Sequence, residues 1–316
     1  MLHTSSSPPA EVPSSEAFAG VSGSSRATII DRYVLKRLTR RTRLKRLMYE
    51  RLAEPLHLNI ASVFVALFGT FRAKVEFDLI IRQQFAWPIL RAADQARKLG
   101  LSKVTLAEFG VASGAGLLNM CKIAASVTKA TGIEFEIYGF DTGRGMPPAI
   151  DYRDHPELWQ EADFPMDVER LTRALPPFCH LMIGDVEVTI PGFLAGLSPS
   201  APLAFLSLDV DYYSSSVRAL RVLNGEPTQY LPMVTVYLDD IVIESANPWC
   251  GELLAVNEFN AENTLRKIAP FPMLRAQRLF KAPRWIDQMY VAHILDHPTR
   301  QPRVTRDAHV IPNEYV

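Results

Sequence analysis

Two acidic pairs close apolar runs in this chain: Asp209 and Asp211 in SLDVDYYSSS, and Asp239 and Asp240 in VYLDDI. Each run has the composition of a buried strand. Neighbouring strands lie ~4.8 Å apart, so carboxylates at both ends would converge on one patch. Four acids that close repel one another. Either some of them hold protons, or a hard divalent cation such as Mg²⁺ neutralises them through oxygen ligands. The competing reading is that each Asp only caps the helix that follows, although an adjacent Asp-Asp pair exceeds what one cap requires.

A second constellation lies upstream. The run VTLAEF at 104–109 ends in Glu108, followed by Gly110, Gly114 and Gly116 and then by a helical pattern. A glycine-rich strand-to-helix turn lets a ligand approach the backbone and meet a helix N-terminus, but the same glycines also serve a tight turn or close packing. The spacing is G-x-x-x-G-x-G rather than G-x-G-x-x-G, which disfavours NAD or FAD. The next β-rich run, EFEIYGF, leads into Asp141. At the carboxyl end of a strand beside the first, that carboxylate can accept both hydroxyl protons of a ribose, or else cap its loop.

These residues need a sheet to hold them. Strands are expected at 104–109, 134–140, 180–185, 201–210 and 232–240, with helices near 115–131, 166–174, 214–223 and 253–268. Such alternation predicts an α/β fold with a doubly wound, mostly parallel seven-stranded sheet. The runs 271–280 and 287–295 predict a hairpin, hence an antiparallel strand at the sheet's end. Before the sheet, Phe77, Ile80, Ile81, Phe85, Ile89, Leu90 and Ala93 recur at helical steps, which predicts one amphipathic helix from Val75 to Leu99 stopped by Gly100. Four regions follow: a Ser/Pro-rich disordered tail at 1–27 with no secretory signal, a helical extension at 28–99, the main domain at 100–300, and a tail at 301–316.

The 316 residues carry 34 basic and 34 acidic side chains, so no global charge argues for nucleic acid. The charge is segregated, however. Residues 31–51 hold nine Lys or Arg against two acids, a formal +7 that leaves the remainder at −7. An uncharged run, LNIASVFVALFGTF at 58–71, follows; it is short of the ~20 residues a spanning helix needs, and a buried helix is expected. A basic stretch beside an apolar one also makes 31–71 a candidate for peripheral membrane contact, against the plainer reading of a solvated helix face. Cys121, Cys179 and Cys250 show no C-x-x-C spacing, which fits a reducing, cytoplasmic setting without a disulfide framework.

Together these motifs resemble the class I S-adenosylmethionine-dependent methyltransferases, and within them the macrocin O-methyltransferase-like, metal-dependent enzymes, over roughly residues 75–297. EFGVASGAG is similar to their first motif, FDTGRGMP to the segment after the second strand, GDVEVTIP to a GDFxxTLP segment, and LDVDYYSSS with LDDI to a DGDLYEST and VDDY pair. The resemblance implies that Glu108, Gly110, Gly114 and Gly116 hold the methionine part of the cofactor, Asp141 its ribose, and that Asp185 lies near the adenine. It implies Asp209, Asp239 and Asp240 as ligands of Mg²⁺, with Asp211 behind them. The first motif here is two residues longer than the usual pattern, and LNGEPTQYLP replaces the usual GG turn before the fifth strand.

The activity so implied is O-methylation of a small hydroxylated acceptor, a sugar or natural product. Asp209 is the first choice for the base that takes the hydroxyl proton. His155, beside Pro156 in the insertion DYRDHPELWQEADFP, is expected at the surface, with catalysis the lesser reading. Tyr212, Tyr213 and Trp159 are candidates to shape an acceptor pocket or to fill the core. Glu252, Asn257 and Glu258 have no derivable role beyond lining the pocket or decorating a helix. Two alternatives stay open: a metal-independent methyltransferase, and a non-catalytic nucleoside- or partner-binding protein that works through its basic segment. The expected partner is a small molecule rather than nucleic acid, and a homo-oligomer is open.

Overall fold

The computed structural model describes residues 48–301. The expected tail at 1–27, the basic run as far as residue 47, and residues 302–316 lie outside the described residues. Contacts divide the chain into two units, Met1–Ala53 and Glu54–Val316, and every element below belongs to the second.

Three helices precede the sheet: α1 (Leu56–Phe68), α2 (Phe71–Glu76) and α3 (Gln83–Lys98). Then come β1 (Lys103–Phe109), α4 (Ala115–Thr131), β2 (Glu134–Asp141), α5 (Val168–Ala174), β3 (Cys179–Ile183), α6 (Val186–Gly196), β4 (Leu203–Leu208), α7 (Tyr213–Leu220), β5 (Tyr230–Leu238), α8 (Gly251–Glu262), β6 (Arg266–Pro270), α9 (Leu274–Gln277) and β7 (Met289–Ile294). The seven strands are ordered β3-β2-β1-β4-β5-β7-β6. All neighbours run parallel except β7, which is antiparallel to both β5 and β6. The expected doubly wound α/β sheet is therefore present, and the strand order reverses between β1 and β4.

Helices cover both faces, which explains why the central strands read as continuous apolar runs; all six residues of β4 are buried. Phe85, Ile89 and Ala93 of α3 and Leu117, Met120 and Val127 of α4 pack on one face, against Val104, Leu106, Phe135, Ile137 and Phe205. Ile190 and Phe193 of α6, Leu220 of α7 and Phe259 of α8 pack on the other, against Phe109, Phe140, Leu206 and Val236. Truncating one such fully buried aromatic, Phe205→Ala for example, costs about 3–5 kcal/mol.

The structure departs from expectation at four places. The 75–99 helix is broken: α2 ends at Glu76, Asp78 and Arg82 take left-handed φ of 52° and 57°, and α3 starts at Gln83. Arg278, from the far end of the chain, donates to the Val75 and Glu76 carbonyls (2.8 and 2.9 Å) and to Asp78 Oδ1 (2.7 Å), satisfying carbonyls that a continued helix would have used. Residues 271–280 contain α9 rather than a strand. β7 pairs instead with 266–270, and it lies inside the edge strand β6 rather than at the sheet's end. The helix expected to 268 stops at Glu262 because Asn260 turns to β6, accepting from Ile268 N and donating to Ile268 O, both at 2.7 Å. That exchange covers the open edge of β6. Fourth, α1 forms but is not buried: Ser62 alone of its thirteen residues is.

Candidate active site

Strand register places the site. Phe109 of β1 lies opposite Phe140 of β2 and Leu208 of β4, and Leu208 lies opposite Leu238 of β5. The residues one step further on, Asp141, Gly110, Asp209 and Asp239, therefore form a single row across the carboxyl rim of the sheet. Hydrogen bonds from Gly110 N to Phe140 O, Asp209 N to Phe109 O and Asp239 N to Leu208 O, at 3.0–3.1 Å, fix the row. It straddles the point where strand order reverses, where open α/β sheets leave a crevice for ligands.

On the β1 side the chain satisfies itself. Gly110 has φ 85°, and a Cβ there would lie 1.6 Å from the Asp209 carbonyl oxygen, so the turn passes the end of β4 only without a side chain. A Cβ on Gly116, in the first turn of α4, would lie 2.0 Å from Glu108 Oε1, and one on Gly114 would strike Leu171. Each glycine thus has a packing reason. The residues that lengthen this turn include Ala112, which sits in the left-handed region at φ 47°. Asp141 pins the loop: its Oδ2 accepts from Val111 N (3.0 Å) and Ala112 N (2.8 Å), and its Oδ1 from Gly143 N (2.7 Å). A carboxylate has about four acceptor positions, so Asp141 retains room for one ribose hydroxyl rather than the expected two. Asp185 caps α6, accepting from Glu187 N at 2.9 Å, and faces Arg218.

Glu108 is the unsatisfied member of this side. It is 1% exposed, and its Oε2 has no hydrogen-bond partner among the described residues. Burial pushes its carboxyl up to about 8, opposed by Arg82 and reinforced by Asp141 and Asp239.

On the β4–β5 side acids crowd together. The Asp209 carboxyl is held well above the usual range by burial, then by Asp239, Asp240 and Asp211. Asp211, at a left-handed φ of 57°, is raised to about 6 by burial and Asp239, while a hydrogen bond shared with Asp240 pulls it down. Asp240 is raised by burial, then by Asp211 and Asp239. Asp211 and Asp240 line one hollow beside the rim. Asp239 Oδ1 accepts from Tyr237 Oη and from Gln288 Nε2.

A fifth acid joins them. Glu252, at the start of α8, is 2% exposed; its Oε2 accepts from Asp240 N at 3.2 Å, and its carboxyl is pushed well up by burial and then by Asp240, Asp239 and Asp209. Asp240 Oδ2 and Glu252 Oε1 are buried without a hydrogen-bond partner among the described residues. Carboxylate oxygens of this kind are the donors a hard divalent cation takes, so the donor chemistry fits. As placed, no three His, Cys, Asp or Glu side chains among the described residues are arranged to hold one, and the expected trio of Asp209, Asp239 and Asp240 is not a ready-made ligand set.

His155 is not the surface residue expected. It is 5% exposed, has a left-handed φ of 51°, and its Nδ1 lies 3.0 Å from Glu157 Oε1. Its Nε2 lies 3.5 Å from where a Gly251 Cβ would stand, and with Asp211, Asp240, Cys250 and Glu252 the ring lines a hollow of about 10 Å³, room for one water-sized group. The adjoining Asp154 anchors the insertion, accepting from Ser214 N (2.8 Å) and Oγ (3.0 Å) at the start of α7. Tyr212 is core; Tyr213 donates to Glu258 at 2.5 Å, and Arg153 lies over its ring. Asn257 donates to Pro248 O, at 3.4 Å. A larger hollow of about 470 Å³, lined by Ser102, Lys103, Glu136 and Ser198, lies by the amino ends of β1 and β2, away from all these groups.

Sequence reasoning gave Glu252 only the open choice of lining a pocket or decorating a helix, and misplaced His155. Spacing from Asp240 was the only available signal for Glu252, and nothing in the polar loop signals the fold-back that buries His155.

No family model matches the chain, and no curated protein does. Solved structures do. A structure described as CalS11, calicheamicin methyltransferase, aligns at TM-score 0.46 and 19% identity, covering 84% of this chain and 95% of that one. The O-methyltransferase NovP aligns at TM-score 0.43 and 17% identity over 67% and 79%. Likenesses of this size transfer no activity, substrate or ligand.

Proposed function

We propose that the chain is an S-adenosylmethionine-dependent O-methyltransferase acting on a small hydroxylated acceptor, with a divalent cation held at the acidic rim. One observation carries this reading: register puts the glycine turn with Glu108, the loop-pinning Asp141 and the buried acids after β4 and β5 in one row at the strand-order reversal. The turn offers the free N–H groups of the first turn of α4 and the Glu108 carboxyl to the cofactor's amino-acid end. Asp141 has one acceptor position for a ribose hydroxyl, and Asp185 lies at the next strand end for the adenine.

Asp209, Asp239 and Asp240 would hold the cation, with Asp211 and Glu252 beside them. When bound, such an ion lowers the pKa of an acceptor hydroxyl and fixes its position. Asp209 is the group to receive the hydroxyl proton, and His155, backed by Glu157, is the second candidate. The cofactor would supply the methyl group on its sulfonium and leave as the thioether, with the acceptor's proton passing to Asp209, so no side chain has to act as nucleophile.

A metal-free variant of the same reaction has its own support, since burial and mutual repulsion push the Asp211 and Asp240 carboxyls up towards their protonated forms and so lessen the charge a cation would have to neutralise. Thermal unfolding with millimolar S-adenosylmethionine tests the common part: the midpoint should rise by several degrees, about 5 °C, through mass action on the native state. An unchanged midpoint overturns the reading. Chelation then separates the two forms, because only the metal-dependent one loses turnover.

A further inference from the structure

Helix α1 turns a broad apolar stripe to the surface. Leu56, Ile60, Val63, Phe64 and Leu67 are 54–74% exposed and Phe68 is 82% exposed, at the i, i+4, i+7, i+8, i+11 spacing of one stripe. Its less exposed side carries Leu58, Ala61 and Val65 with Asn59 and buried Ser62; Ser62 donates to Leu58 O at 2.9 Å, and Asn59 donates to Glu54 O. A helix on the surface of a water-soluble body turns charged and polar residues outward, not a stripe of this kind. No Asp, Glu, Lys or Arg interrupts its thirteen residues. Its base is fixed to the body, since buried Glu54 accepts from Lys281 N and from Ala282 N.

We propose that α1 lies in the surface of an anionic lipid bilayer, its apolar stripe among the acyl chains and the basic run before it on the headgroups. Thirteen residues are too few to span, and among the described residues no helix is long and apolar enough to cross a membrane. An in-plane helix needs only a one-sided apolar stripe and cationic neighbours. The run at 31–51 supplies a formal +7 and ends five positions before Leu56, while the rest of the chain is −7 and is repelled by the same surface. Charge also decides against a second copy of the chain as occupant. A symmetric pairing of α1 with α1 would bring two +7 runs together.

The test is flotation of the full-length protein with vesicles of pure phosphatidylcholine and of phosphatidylcholine with a third phosphatidylglycerol, beside sedimentation in solution. Wild type should float with the anionic vesicles about tenfold more than with the neutral ones, and less as salt rises. Phe64→Asp with Leu67→Asp, at exposed positions, should cut recovery about tenfold while leaving the thermal midpoint unchanged. Replacing Arg40, Arg41, Arg43 and Lys45 with Gln should do the same without touching α1. Failure of wild type to float, equal recovery with both vesicles, or a solution dimer that the Phe64/Leu67 variant dissociates would each overturn the proposal.

Discussion

The two halves of the carboxyl rim solve their polar groups in opposite ways. After β1, three backbone amides converge on Asp141 and each glycine is forced by a named neighbour, so the turn is closed by the chain itself. After β4 and β5, five acids face one another and leave two buried oxygens without partners among the described residues. Unpaired buried charge costs stability and is retained where something else uses it. The turn is therefore expected to carry fold, and the rim chemistry.

Substitutions can break that contrast. The largest effect should come from Gly110→Ala, which drives a methyl into the Asp209 carbonyl; a loss of about 4 kcal/mol or more in denaturant unfolding is expected, with activity lost as a consequence. Asp209→Asn should act in the reverse sense: methyl transfer falls about 100-fold, ~2.7 kcal/mol in barrier, while unfolding free energy holds or rises by ~1 kcal/mol because one of the crowded charges is gone. Equal damage to stability in both variants would erase the distinction between the halves.

Glu108 belongs to both halves, and pH separates its roles. Its folded-state value of about 8 lies above the 4.5 of an ordinary Glu, so between those limits the native state holds a proton that the unfolded chain has released. The stability it contributes is complete below pH 4.5 and is lost as pH rises towards 8. Glu108→Gln should flatten that slope, gaining on the order of 2 kcal/mol at pH 8, and should weaken cofactor binding. A parallel pH profile in the variant would contradict the assignment. The smallest effect is reserved for His155→Gln, about tenfold in turnover, ~1.4 kcal/mol, with little change in unfolding.

What could be read in the sequence follows the same division. Apolar strands ending in Gly110, Asp141, Asp209 and Asp239 are local patterns, and the sheet register that aligns them follows from a parallel, doubly covered sheet. The features that escaped were made by distant partners. The break at 77–82 depends on Arg278, and the end of α8 on a side-chain exchange between Asn260 and β6. His155 is buried because Asp154 caps α7 across the sequence. The α1 run misled for another reason: an uncharged apolar stretch implies burial, and nothing local in it tells that Leu56, Ile60, Phe64 and Leu67 stay exposed.

The most direct measurement is transfer of a labelled methyl group from S-adenosylmethionine to a panel of hydroxylated metabolites, by wild type and Asp209→Asn, with Mg²⁺ and with a chelator. Label should reach an acceptor hydroxyl in the wild type with Mg²⁺, and should drop about 100-fold on chelation or in the variant. Label transferred equally in all four conditions would contradict a working acidic rim, and cofactor binding with no transfer to any acceptor would contradict the enzyme itself.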